Sequence, residues 1–332
     1  GPELTETAGG PRGGPTFGFD LDGTIARLAD ERWAPPMTSL TTRLPFPYDR
    51  LPWPVRALGA VATFAPGRLW RSRQVPPWPI APSLDVLRAL RGDPPPAWGG
   101  RRWGVTITCD VDSPDGWRRA SAVAEAIEGA GFRAAFFVVG EVLEGAPEIA
   151  RDLVARGHEI GSHDVRHDNR LVTLDDAALD ARLAAARATI TPFGGVGFRS
   201  PSLLRSPRLL RAVMRHFDYD SSVCDADLEH PRGVTTVCPY ALAGGVEVPV
   251  TLPMDSSLRF TLHGLGAIEA LWREKCAWIR AVGGLATLAI HAEPQLAGGA
   301  RFRRTVTHFL SWIREQEDVE VLLPRDVAAR TS

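Results

Sequence analysis

Two short strings carry aspartates spaced D-x-D: FDLDGT, with Asp20 and Asp22, and VTITCDVDSP, with Asp110 and Asp112. Either pair could grip a divalent cation or handle a phosphate, and the two chemistries belong to different enzymes. The second pair has company. His163 and His167 lie four apart in GHEIGSHDVRHDN, Arg199 sits in FRSPS, and His291 ends the apolar run LATLAIH. One carboxylate with two neutral imidazoles is a common ligand set for catalytic zinc and leaves a coordination position for water. The four-residue spacing turns both imidazoles the same way in one helical turn or a tight loop. The same donors suit other first-row divalent metals, so zinc comes first and Co2+, Ni2+ and Mn2+ are the alternatives. A cation there acidifies water for attack on a carbonyl, and a neighbouring carboxylate takes the proton. The cation and a nearby backbone N–H stabilise the oxyanion, and a histidine of near-neutral pKa protonates the departing amine. These groups together suit amide hydrolysis.

The first pair has no such company. FDLDGT resembles the nucleophile motif of haloacid-dehalogenase-like phosphatases, which would make Asp20 the attacking group and Asp22 the acid and base. That chemistry also needs a lysine and further magnesium-binding acids. The chain's only lysine, Lys275, falls in a distant helical segment, and the prolines after Met37 leave no room for a βαβ unit. The simpler expectation is a β-hairpin: TFGFDL, a turn at Asp22-Gly23, then TIARLAD, since Asp-Gly is a strong hairpin signal.

The elements that must position the second set follow from periodicity. From Arg101 onward, apolar β-branched runs alternate with helical patterns. WGVTITCDVD, FRAAFFVVG, GGVGFRSP, VEVPVTL, LATLAIHAE and VEVLLP read as strands. Between them APEIARDLVARG, LDDAALDARLAAARATI, SPRLLRAVMRHF, Ala267–Val282 and RFRRTVTHFLSWIREQ read as helices. Alternation of this kind builds a parallel sheet covered by helices, and about seven such units favour a (β/α) barrel. In such barrels chemistry gathers where strands end, and that is where Asp110, Asp112, Arg199 and His291 fall. His158, His216, His230, His263 and His308 lack this register and read as structural.

The remaining sequence sets bounds. The 332 residues are 44% hydrophobic and carry 38 basic against 39 acidic side chains, a net charge of −1. With no basic block, nucleic acid is excluded as a partner. Cys109, Cys224, Cys238 and Cys276 lie far apart and never form C-x-x-C, which fits a reducing cytosol. The sequence offers neither a secretion signal nor a membrane-spanning run, so a cytoplasmic location is expected, peripheral to the membrane in one version. Residues 31–98 are rich in proline and tryptophan and exclude long regular elements. The exception is the segment Val55–Arg73, whose apolar positions and arginines suit a helix lying on anionic lipid or packed on the main domain. The expected organisation is an extension over 1–98, containing the hairpin and packing on or capping the barrel, and a catalytic domain over 99–332.

TCDVD, AAFFVVG, GHEIGSHDVRH, FRSPS, DYDSS and LAIH, in this order, resemble the polysaccharide deacetylases, the NodB-homology domains of carbohydrate esterase family 4. The resemblance covers roughly Trp103–Pro324. It implies a partly open (β/α)7 barrel that removes an N-acyl group, acetyl or formyl, from an amino sugar with a divalent metal. It also implies roles. Asp110 is the general base, His163 and His167 are metal ligands, Arg199 orients the base and His291 is the general acid. Asp112 is the third metal ligand, although the commoner pattern has two adjacent acids and here Val111 intervenes. Asp255, in VPVTLPMDSS, orients His291, and Ser200, Pro201 and Ser202 meet the substrate. Ser202 stands where an aromatic is frequent, and the family's tryptophan-bearing motif after DYDSS is not recognisable, so N-terminal tryptophans could replace it. VPVTLP with IHAE is similar to the branch that deformylates formamido-arabinose on an undecaprenyl phosphate carrier. The expected substrate is an amino sugar, with linkage to a lipid, nucleotide or polymer carrier left open. The rival expectations are a non-catalytic carbohydrate- or lipid-binding relative and an amidohydrolase acting on a non-sugar amide.

Overall fold

Parallel strands buried on both faces read as unbroken apolar runs, and Trp103–Val111 is such a run, buried at every position as strand β1. The computed structural model describes residues 20–29, 40–44, 46, 51–71, 78–80, 83–225 and 236–331. After β1 come β2 (Ala135–Val138), β3 (Glu159–Ser162), β4 (Gly197–Phe198), β5 (Tyr219–Asp220), β6 (Tyr240–Leu242), β7 (Gly245–Glu247), β8 (Leu285–His291) and β9 (Val319–Val321). The helices are α1 (Leu21–Ala29), α2 (Trp53–Arg71), α3 (Ser83–Arg91), α4 (Pro114–Trp117), α5 (Ala120–Gly129), α6 (Gly140–Gly145) and α7 (Pro147–Ala155). They continue with α8 (Asp176–Ile190), α9 (Pro207–Val213), α10 (Asp255–Phe260), α11 (Leu265–Val282), α12 (Ala300–Arg314) and α13 (Pro324–Thr331).

The sheet runs β6-β7-β5-β4-β3-β2-β1-β8, with β9 also on β1. Every pairing is parallel except β6 with β7. Strand β1 is the hub. It pairs with β8 along most of its length, with β9 at its start and with β2 at its end. The sheet curls into a half-barrel of the expected α/β class, and Leu252 N–H reaches Thr287 O at 3.2 Å across its open side. Between sheet and helices lies a large apolar core containing Val105, Ile107, Val111, Phe136, Leu183, Trp272 and Phe309.

Two expectations change. No hairpin forms at Asp22-Gly23, because that dipeptide lies in the first turn of helix α1. Asp20 caps the helix: its Oδ1 accepts from Gly23 N–H at 2.8 Å, and its carbonyl accepts from Thr24 N–H at 3.0 Å. An aspartate before a helical turn satisfies donors that would otherwise be orphaned, and here that preference beats the turn preference of Asp-Gly. The expected first strand, from Thr16, lies mostly outside the described residues. The helix expected over Val55–Arg73 is α2, nineteen residues long with Pro66 inside it. Pro54 falls in its first turn, where a missing N–H costs nothing. The strand expected in VEVPVTL stops at Glu247, where Pro249 cannot donate to a ladder.

The N-terminal segments are fastened to the barrel. Leu84 and Ile25 are buried with Leu210, Val223, Tyr240 and Leu242. Asp85 accepts from Thr236 Oγ1 at 2.7 Å and Val237 N–H at 3.0 Å. Trp98 Nε1 donates to Gly283 O at 2.8 Å. Lys275, fully buried, pairs with Asp225 and also donates to Pro79 O. On α2, Trp53 packs against Phe260 of α10 with ring centroids 5.8 Å apart, while Val55 and Leu58 are 53% and 71% exposed. No described helix is long and apolar enough to cross a membrane, and none of the four cysteines is in a disulfide.

Candidate active site

Strand register assembles the site. Asp110 on β1 stands opposite His291 on β8, and Ser162 on β3 stands opposite Phe198 on β4. His163 and Arg199 thus follow directly from paired positions. Successive side chains on a strand alternate between faces. Val111 is accordingly buried in the core under the helices, while Asp110 and Asp112 on either side of it face the barrel mouth. The D-x-D spacing is what a strand requires of two acids sharing one face.

Among the described residues, Asp112, His163 and His167 offer ligand atoms all within 4.8 Å of one another. Asp112 Oδ1 lies 3.4 Å from His163 Nε2 and 3.7 Å from His167 Nε2. This oxygen is buried and receives no hydrogen bond. A buried carboxylate oxygen without a donor costs free energy, and a cation between the three groups removes that cost. The residues therefore fit a divalent metal. His163 Nδ1 bonds to Arg199 O at 2.9 Å, which leaves Nε2 as the ligating nitrogen. Burial works against the Asp112 carboxylate, but the imidazoles of His167, His163 and His291 outweigh it and hold its pKa low. Burial lowers the pKa of His167, which favours the neutral, ligating form.

The loop carrying both histidines is held from α8. Asp164 adopts a left-handed conformation, φ 65°. Its carboxylate takes Arg182 Nε at 3.0 Å and Nη2 at 2.7 Å, and the same guanidinium reaches Asp168 at 2.8 and 2.9 Å. Burial raises the Asp164 pKa to about 6 despite Arg182.

Asp110 is buried, its Oδ1 accepting from Arg199 Nη1 at 2.8 Å, and its Oδ2 is 4.0 Å from His291 Nε2. Arg199 is fully buried. It donates to Thr108 Oγ1, Ser221 O and Ser221 Oγ at 2.7–2.8 Å, and its guanidinium lies 4.4 Å from the Phe137 ring centroid. His291 Nδ1 bonds to Asp255 Oδ1 at 2.6 Å, and Asp255 Oδ2 accepts the His291 N–H at 2.9 Å. Burial disfavours the His291 imidazolium, but Asp255, Asp112 and Asp110 together push its pKa up to about 10.

Ser200, Pro201 and Ser202 are placed differently from one another. Ser200 Oγ turns inward to Leu204 O at 2.6 Å, Pro201 is buried, and Ser202 is exposed with φ 54° and bonds to Asn169 Oδ1 at 3.2 Å. Asn169 reaches Thr41 Oγ1 at 3.1 Å, so the N-terminal region touches the site's rim. His158, His216 and His263 bond within the scaffold and His308 is exposed; His230 lies outside the described residues. The supports Arg182, Ser221, Ser222, whose Oγ accepts from Ser200 N–H at 2.8 Å, and Glu293, whose carboxylate accepts from Asp112 N–H, have no role in the sequence reading. Three of them had a signal, since Ser221 and Ser222 end DYDSS and Glu293 ends IHAE.

A curled parallel α/β sheet with acids and imidazoles grouped at its strand ends defines a half-barrel of the NodB-homology type. Residues 104–219 match the family model described as polysaccharide deacetylase. The fold is shared with a protein assigned as a polysaccharide deacetylase in Mycobacterium smegmatis, at TM-score 0.59 and 21% identity over 71% of this chain and 93% of that one. It is shared also with Puue allantoinase, at TM-score 0.61 and 17% identity over 71% and 93% of the two chains. A curated relative, a gellan lyase of a Bacillus species, is 39% identical over 66 residues, which span 20% of this chain and 3% of that protein.

Proposed function

We propose that the chain is a metal-dependent amidohydrolase that removes an N-acyl group, acetyl or formyl, from an amino sugar. The observation that carries the reading is the convergence of Asp110, Asp112, His163, His167 and His291 on one barrel mouth, the first four of them within the residues that match the polysaccharide deacetylase model. Asp112, His163 and His167 hold the cation, zinc first among divalent ions. A divalent ion so held acidifies water and polarises the acyl carbonyl.

The chain's own residues do the rest. Asp110, with Oδ1 fixed by Arg199, presents Oδ2 to take the proton of the attacking water. His291, fixed through Nδ1 by Asp255, presents Nε2 to protonate the departing amine. The exposed Val55 and Leu58 on α2 support peripheral contact with a membrane bearing a lipid-linked sugar, and VPVTLP with IHAE supports a formyl group.

Formate and acetate release from N-formyl and N-acetyl amino sugars, free and carrier-linked, with allantoin as a non-sugar amide, tests the reading. Release from a sugar is expected, abolished by a chelator and restored by zinc. No release from any sugar with metal supplied sinks the proposal, and turnover of allantoin alone transfers it to the non-sugar class.

The alkaline limb of the rate profile should follow His291. A general acid works while protonated, so activity falls as pH rises through its pKa. The charge of Asp255 is the largest upward influence on that imidazole, whereas a bound dication repels the proton and lowers its pKa. Asp255→Asn removes the upward influence, so kcat/KM should lose its alkaline limb about 1–3 pH units earlier. An unshifted limb assigns that proton to another group.

A further inference from the structure

Glu293 ends the IHAE string two residues beyond His291, and its carboxylate turns back toward the end of β1. Oε1 accepts from Asp112 N–H at 3.1 Å, and Oε2 accepts from Ser113 Oγ at 2.7 Å. Ser113 Oγ in turn accepts from Gly116 N–H at 3.1 Å and caps α4. A Cβ on Gly116 would stand 2.4 Å from Glu293 Oε1. The carboxylate thus lies flush on backbone that only a glycine leaves open.

The placement matters because Asp112 stands just outside β1. Pairing of β1 with β2 ends at Val111 and pairing with β8 ends at Asp110. No ladder bond fixes the residue that carries the candidate metal carboxylate, and its N–H goes to Glu293 instead. Both Glu293 oxygens are occupied by this loop, and Glu293 is not among the three grouped ligands.

We propose that Glu293 is the positioning residue for the metal carboxylate: it ties the Asp112–Ser113 loop to the strand that carries His291, so that Asp112 meets the two imidazoles at one cation. This deepens the reading of Asp112, His163 and His167 as a divalent-metal site and rests on it. Groups that orient a ligand from behind are worth about 10–100-fold in metal affinity.

The test is the zinc dissociation constant of the metal-free full chain, measured by competition with a chromophoric chelator. Glu293→Ala should bind zinc about 10–100-fold more weakly than wild type. Glu293→Gln keeps an oxygen for the Asp112 N–H and an amide that can bond Ser113 Oγ, so it should recover most of that loss. Gly116→Ala should weaken binding with Glu293 intact, by pushing the carboxylate away, and it carries the test if Glu293→Ala fails to fold. Glu293→Ala binding zinc as tightly as wild type overturns the proposal, and so does a loss in Glu293→Gln as large as in Glu293→Ala. If wild type takes up no zinc, or Asp112→Ala binds it as tightly as wild type, the underlying metal reading falls and takes this inference with it.

Discussion

Asp110→Asn is expected to lower kcat by about 10²–10⁴-fold, the range a positioned general base contributes, while zinc affinity stays near the wild-type value. The separation follows from geometry. Asp110 Oδ1 is bound to Arg199 and Oδ2 faces His291 at 4.0 Å, whereas the grouped ligand atoms belong to Asp112, His163 and His167. An asparagine oxygen can still accept from Arg199 but cannot take a proton from water. Steady-state rates on the acyl sugar, paired with zinc titration, check both halves. A variant that retains activity removes Asp110 from the chemistry. One that loses zinc in proportion to activity makes Asp110 a ligand instead of a base.

Arg199→Met should be the most destabilising single change in the site, by about 3–5 kcal/mol, because it strands a buried carboxylate. Arg199 and Asp110 are 0% and 1% exposed, so water does not relieve the unpaired charge. Methionine fills much of the volume and keeps some contact with Phe137, so the loss would come from electrostatics and from the abandoned acceptors on Ser221 and Thr108. The double variant Asp110→Asn/Arg199→Met separates these causes. With no buried charge left, it should regain part of the stability lost by Arg199→Met alone, although it stays inactive. Urea unfolding of the four proteins in chelator gives the cycle. Additive losses would mean that the pair does not couple, and that Arg199 matters through packing and its bonds to Ser221 and Thr108.

What could be read from sequence was whatever repeats with a local period. The strand runs, the helices α8 and α12 and the candidate ligand positions all follow from alternation and spacing, because strand ends and one-residue offsets put side chains on a common face. Where two local signals competed, the reading failed. Asp20 and Asp22-Gly23 carry both a helix cap and a hairpin turn; the cap prevails in α1, and Ile25 of that helix is buried in one cluster with Leu84. The supports of the site were the least legible part. Arg182 sits fourteen residues beyond Asp168, and Glu293 lies 181 positions from Asp112. Such contacts are made by the closed fold, and nothing in a linear pattern announces them.

The fastening of the N-terminal segments bears on how the protein can be divided. The change of texture near residue 98 invites a cut there, yet Lys275 would lose the Pro79 carbonyl, Thr236 and Val237 the carboxylate of Asp85, and Leu210 and Tyr240 their cover from Leu84. A barrel expressed from residue 99 onward would carry a raw greasy scar beside a half-naked ammonium, and inactivity in such a fragment would report on that wound and not on the chemistry at the barrel mouth.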